Sequence, residues 1–241
     1  MLRLENVKLD LPEKENLIKD LSLSVAPGKL TVVTGPNGGG KTSLAKLIAG
    51  LYIPTSGRIM LDDKDITGLS VTERAKLGIA YAFQQPVSFK GITVRRVMEI
   101  ASGSGMSEMN MCRTLEKVGL CAREYMDREL DGKLSGGEMK RIEIAIVLCR
   151  KASYLVFDEP EAGIDLWSFT SLIETFEELK KDAEHALLII SHQERILKIA
   201  DEIVVIADGV ITKSGTREEI FPTLLADREN VYCPKGQEIY G

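Results

Sequence analysis

Hydrophobic and polar positions divide the chain into three stretches of different period. In the first, Leu2 to Asn6, Leu21 to Val25 and Leu30 to Thr34 are short runs with strand content, and Pro27-Gly28 marks a turn before the third. Lys41 to Ala49 switches to a helical period, with Leu44, Leu47 and Ile48 on one face and Gly50 as a stop. Gly57 to Leu61 and Ile79 to Phe83 return to strand character.

From about Gln85 to Lys133 apolar residues recur at helical intervals: Val94, Val97 and Met98, then Met111, Leu115 and Val118. Gly and Ser separate the two groups at 102–105. This stretch is predicted as a helical insert. Beyond it, helical segments (Met139 to Cys149, Ser168 to Lys181, Glu194 to Ala200) alternate with apolar strands (Tyr154 to Phe157, Ala186 to Ile190, Glu202 to Ala207). Such alternation predicts an α/β fold, a parallel sheet with helices on both faces. Residues 1–241 read as one domain, with a helical subdomain at about 85–133 inside it and no internal repeat.

Composition narrows the class. The 241 residues, 44% hydrophobic, suffice for one packed core. Lys and Arg total 31 against 36 Asp and Glu, and a net charge of −5 without a long basic run argues against nucleic acid as the main partner. Cys112, Cys121, Cys149 and Cys233 form no C-x-x-C pair, and the only histidines are His185 and His192, so neither a zinc site nor a disulfide framework is expected. No run approaches the roughly 20 apolar residues of a membrane span. The start of the chain carries Glu5 early and lacks the apolar core of a signal peptide. A soluble, reduced, cytoplasmic protein is expected, with no direct membrane insertion and any membrane contact made through a partner.

Three motifs carry chemistry. Gly35-Pro36-Asn37-Gly38-Gly39-Gly40-Lys41-Thr42 matches G-x-x-x-x-G-K-[ST] between a predicted strand and a predicted helix. Glycines let backbone N–H groups turn towards phosphate oxygens, and the helix start adds its positive dipole end. Lys41 places a charge among the outer phosphates, the Thr42 hydroxyl suits Mg²⁺, and Ser43 is in reach of a further phosphate contact. The plain alternative, a flexible glycine turn, does not require the whole pattern. Second, the strand Tyr154 to Phe157 ends in Asp158 and Glu159, at the sheet edge where ligands of parallel sheets bind. Asp158 suits Mg²⁺ through its water shell, and Glu159 suits the orientation or deprotonation of an attacking water. Third, Leu134-Ser135-Gly136-Gly137-Glu138 precedes an apolar helix. Ser135 reads as an N-cap, and the unobstructed first N–H groups form an anion site. One nucleotide does not need two phosphate-directed helix starts.

With these motifs the chain resembles an ABC ATPase over essentially its whole length. Gly35 to Thr42 is similar to that family's Walker A loop, Leu155 to Glu159 to its Walker B strand, and Leu134 to Glu138 to its signature. The resemblance implies a P-loop NTPase: a RecA-like, mostly parallel sheet with an antiparallel β subdomain and a helical insert. It implies hydrolysis of Mg-ATP to ADP and phosphate. It also implies that on binding ATP two copies pair head to tail, so that Ser135, Gly136 and Gly137 of one serve the nucleotide on the phosphate loop of the other. Gln84 fits the Q-loop glutamine that senses Mg²⁺ and the attacking water, Asp165 the D-loop contact to the opposite subunit, and His192 the switch histidine at the γ-phosphate. His185 matches nothing and reads as a surface residue. The aromatic residue on which many members stack adenine is missing from Val7 to Leu11, which leaves base recognition aliphatic and the choice of ATP over GTP open.

Within the family, several segments are similar to the ATPase of the Suf iron–sulfur cluster assembly system (SufC). These are Ala82-Phe83-Gln84-Gln85-Pro86, Gly163-Ile164-Asp165, Ser191-His192-Gln193-Glu194-Arg195-Ile196-Leu197, and Asp208-Gly209 with Lys213-Ser214-Gly215. Glu161-Ala162 departs from that group's pattern. This resemblance implies a soluble SufB/SufD-like scaffold partner gripped by the insert and the Gln84 loop. The alternative is the ATP-binding subunit of a membrane transporter. The segment 221–241 matches no motif, and packing on the core is expected for it.

Overall fold

The computed structural model describes residues 1–103 and 105–229. The chain opens with an antiparallel hairpin, β1 (Leu2–Leu11) and β2 (Lys14–Val25), far longer than the two short strands expected there. Leu2, Leu4, Val7 and Leu9 face inward from β1, and Ile18, Leu21, Leu23 and Val25 from β2. The polar positions between them point to water, which hid the outer half of the hairpin from a search for apolar runs. Next come β3 (Leu30–Thr34) and α1 (Lys41–Ala49), then β4 (Ser56–Leu61), β5 (Lys64–Asp65), the short α2 (Val71–Lys76) and β6 (Ile79–Ala82). Ser70 and Glu73 form a capping box on α2, a helix the apolar pattern did not predict.

The insert holds β7 (Phe89–Thr93), α3 (Val94–Ala101), α4 (Glu108–Lys117), α5 (Ala122–Tyr125) and β8 (Glu129–Leu130). It is helical as expected, but β7 and β8 pair antiparallel. The return to the core runs α6 (Gly136–Cys149), β9 (Tyr154–Asp158), α7 (Leu166–Lys181), β10 (Ala186–Ile190), α8 (Glu194–Ile199), β11 (Glu202–Ala207), β12 (Val210–Thr216) and α9 (Arg217–Glu229). In α9, Phe221 and Leu224 pack on the core, as expected for the start of 221–241. Cys233 to Gly236 lie outside the described residues.

Ten strands form one sheet in the order β5-β4-β1-β2-β12-β11-β3-β10-β9-β6. The run β11-β3-β10-β9-β6 is parallel throughout, whereas β1, β2, β4 and β5 pair antiparallel and β12 runs against β11. The expected parallel and antiparallel parts are therefore one continuous surface. Interior parallel strands are covered on both faces. On β9, Leu155 and Phe157 join one core with α6, α7 and the insert, while Val156 joins a second with α1 and the hairpin. The carboxyl ends of β3, β9 and β10 thus open at one edge, and the motif residues leave the sheet there.

Candidate active site

The loop 35–40 joins β3 to α1 with backbone geometry that only glycine takes easily. Gly35 has φ +131°, and a Cβ on it would sit 2.1 Å from the Ile206 carbonyl oxygen. Gly40, the N-cap of α1, has φ +108°. The loop is thereby pressed against the end of β11, and Gly209 N donates to Gly39 O at 3.1 Å. Lys41 is buried, and its Nζ donates to Gly35 O (2.7 Å) and Pro36 O (2.9 Å). Burial lowers its pKa against the opposing pull of Glu159 and Asp158.

Asp158, at the end of β9, is fully buried. Its Oδ1 accepts from the Thr42 hydroxyl at 3.3 Å and its Oδ2 from the Tyr81 hydroxyl at 3.1 Å. Burial raises its pKa, and both hydroxyls oppose that shift. One carboxylate and one hydroxyl beside the glycine-rich loop make a hard-oxygen donor pair. That pair fits Mg²⁺, which takes one or two carboxylates and completes its shell with water and phosphate.

Glu159 follows with φ +46°, a left-handed conformation rare outside glycine, and its N–H donates to Ile190 O at 2.9 Å. Gln84 Nε2 donates to Glu159 Oε2 at 2.9 Å. Asn37, Gly38, Gly40, Lys41, Thr42, Ser43, Gln84, Glu159 and His192 line one open cavity of about 360 Å³, with Lys14 and Leu17 from the start of β2. Among the described residues no aromatic side chain lines it. Leu17 on β2 is the aliphatic residue of the lining, and Lys14 Nζ reaches Gly38 O at 3.3 Å. His185 stands at the other end of β10, with its Nδ1 3.0 Å from Asp182 Oδ2.

The residues of the third motif are not in this cavity. Ser135 caps α6 through a capping box: its Oγ accepts from Glu138 N (3.2 Å), and its own N–H donates to Glu138 Oε2 (2.7 Å). A Cβ on Gly137 would meet Gly163 O at 2.3 Å, so the loop before α6 and the loop before α7 are in close contact. Asp165 caps α7 by accepting from Trp167 N (3.1 Å) and Ser168 N (3.0 Å). Its partners within this chain are therefore its own helix start.

Four contributors were not legible in the sequence: Tyr81, Lys140, Glu143 and Glu161. Tyr81 was hidden as one more strand residue. Lys140, fully buried on α6, donates to Phe83 O, to Gln84 O (3.3 Å) and to Asp158 O (3.1 Å), and pairs with Glu143 at 3.5 Å. Glu143 accepts from Phe83 N at 2.9 Å. A Lys and a Glu three apart in a helix otherwise rich in Ile and Val was the available signal. Glu161 accepts from Ser191 Oγ at 2.6 Å, tying the loop after Glu159 to the residue before His192, and burial raises its pKa.

Among known families, the ABC transporter family matches residues 18–162. An uncharacterized ABC transporter ATP-binding protein of Methanocaldococcus jannaschii is 35% identical, covering 91% of this chain and 90% of its own. Among solved structures, a nucleotide-free ATP-binding cassette from an ABC transporter is 30% identical and superposes with a TM-score of 0.78, over 96% of this chain and 97% of that one. A dimeric post-hydrolysis ATP-binding cassette bound to ADP and Pi has a TM-score of 0.80 over 90% of this chain and 99% of that one; at 21% identity it shares the fold.

Proposed function

The chain belongs to the ABC transporter family of ATP-binding cassettes, and we propose that it hydrolyses Mg-ATP in a head-to-tail pair and passes the resulting motion to a partner docked beside Gln84. The observation that carries the reading is the meeting of Lys41, Thr42, Asp158, Glu159, Gln84 and His192 at one sheet edge.

The N–H groups of the loop 35–40 and the Lys41 ammonium bind the phosphate chain. Thr42 and Asp158 would hold Mg²⁺, which would supply positive charge to offset that of the phosphates. Glu159 accepts a proton from water as the water oxygen bonds to the γ-phosphorus and the bond from phosphorus to the bridging oxygen breaks. Gln84 holds the Glu159 carboxylate in place for that transfer, and His192, which lines the same cavity, is assigned to the γ-phosphate. Ser135, Gly136 and Gly137 have no phosphate loop in front of them in their own subunit. They complete the site of a second copy, with Asp165 near the contact.

The partner is assigned to the groove between insert and core. Phe83, Val87, Phe89, Ile100, Leu130 and Ile146 line it, and Val87, Phe89 and Ile100 are exposed. Phe83 precedes Gln84 directly, so whatever fills the groove presses on the loop that holds Glu159. The relatives are named as transporter ATP-binding proteins, which favours a membrane permease as the occupant. No helix among the described residues is long and apolar enough to cross a membrane, so the permease would be a separate chain or segment. The segments around Gln84, Gly163, His192 and Lys213 favour a second reading, a soluble SufB/SufD-like scaffold.

Two experiments test this. Lys41→Ala should abolish nucleotide binding; undiminished ATP affinity would remove the phosphate-loop assignment. Purification of the tagged chain from its own cells, with Phe89→Asp as the groove-blocked control, separates the partners. A polytopic membrane protein lost in the control supports the transporter reading, and a soluble scaffold lost in the control replaces it with the Suf reading.

A further inference from the structure

The first turn of α7 presents two neighbouring apolar side chains to solvent: Trp167, 83% exposed, and Leu166, 66% exposed. Single exposed apolar residues are ordinary, but a bare tryptophan next to a bare leucine on a fixed helix start is a contact surface in waiting. The turn is held from three sides. Asp165 caps it, Arg141 Nη1 on α6 donates to Ser168 Oγ at 2.6 Å, and Arg195 Nη2 on α8 donates to Thr170 Oγ1 at 3.0 Å. The Arg195 guanidinium also lies over the Phe169 ring, 5.2 Å from its centre. A helix start mounted this rigidly loses little backbone freedom on being covered.

Its position says what covers it. In a head-to-tail pair the cavity of each copy faces residues 135–137 of the other, so the twofold axis passes between those two places on each chain. The loop 159–165 spans that gap: it starts at Glu159 in the cavity and reaches Gly137 at Gly163. Helix α7 begins where this loop ends. We infer that Leu166 and Trp167 form an apolar anchor that is buried against a second copy of this chain when ATP draws two copies together. The inference rests on the pairing proposed above and adds to the nucleotide-mediated contact one that nucleotide does not supply. A patch near a twofold axis meets the same region of its mate, so each residue counts twice in the dimer.

Trp167 is the only tryptophan in the sequence, which makes the test direct. The full chain carrying Glu159→Gln is titrated with Mg-ATP, and mass by light scattering is recorded beside tryptophan emission and acrylamide quenching. The expected result is a dimer whose emission moves to the blue and whose quenching falls in step with the mass. Trp167→Ala in the same background should weaken dimerisation by at least about tenfold with nucleotide affinity unchanged, whereas Trp167→Phe should keep most of it. A dimer with unchanged emission and quenching, or one equally tight with Trp167→Ala, overturns the anchor and leaves the pairing standing. Failure of the parent Glu159→Gln chain to dimerise in Mg-ATP overturns both.

Discussion

The side-chain amide of Gln84 donates to the carboxylate of Glu159 at 2.9 Å, although 75 residues separate them in sequence. The bond joins the loop leaving β6, which borders the groove between insert and core, to the group proposed to accept the proton of water. A movement of the groove's contents therefore has a short path to the chemistry: Phe83, Gln84, Glu159. The Glu159 backbone is fixed at the other end by its N–H to the Ile190 carbonyl and by a positive φ.

Glu159→Gln keeps this geometry and removes the base. Phosphate release should fall by roughly 10²–10⁴-fold, the range of a lost general base, while Mg-ATP binding persists. Turnover at the parental rate would take the proton-accepting role away from Glu159.

Gly35→Ala places a methyl 2.1 Å from the Ile206 carbonyl oxygen at a φ that alanine resists. The loop must move off β11, so both thermal stability and nucleotide binding should drop together. Retained ATP affinity with a parental melting temperature would show that the loop is not held by that contact.

Lys140 spans three elements with one ammonium. Lys140→Met keeps the stem but leaves Glu143 without its charge partner and the carbonyls of Phe83, Gln84 and Asp158 without this donor. The expected cost in urea unfolding is about 3–5 kcal/mol, the usual penalty for stranding one half of a buried pair. Lys140→Met with Glu143→Gln should recover part of it, because the stranded charge is then gone. A cost below about 1 kcal/mol for the single change would mean that water satisfies these groups.

Acid stability should report on the capping box of α6. The Tyr125 hydroxyl and then the Ser135 N–H lower the Glu138 pKa from near 4.5 to about 2. A carboxylate with a depressed folded pKa contributes stability above its unfolded value, and the contribution is lost as pH falls from about 4.5 towards about 2. Glu138→Gln should therefore lower stability at pH 7 and flatten its pH dependence across that window. An unchanged acid limb would place the dependence on other carboxylates.

The motifs were legible because their chemistry is local. A strand, six loop residues and a helix start are contiguous, so Gly35 to Thr42 could be read as a phosphate loop, and the Asp158-Glu159 pair as a strand end. Alternation of apolar strands with helices was enough for the α/β class, since buried parallel strands must be apolar on both faces. The same logic missed the outer half of the β1–β2 hairpin, half of whose side chains face water, and the two-residue strands β5 and β8, which carry too few residues to show a period. It also sought the base contact along Val7 to Leu11, when the fold brings Lys14 and Leu17 of β2 to the cavity.

Spacing along the chain could not show which distant residues meet. The sequence by itself determined the glycine loop between strand and helix, the carboxylate pair at a strand end, the capped helix at Ser135 and the family. Only the tertiary structure decided that Lys140 binds Phe83, Gln84 and Asp158, that Tyr81 reaches Asp158, that Glu161 holds Ser191, and that Ser135 to Gly137 stand outside the cavity of their own subunit. The reason is physical. A buried charge is tolerated only where several elements converge to satisfy it, and that convergence is set by how the strands pack side by side.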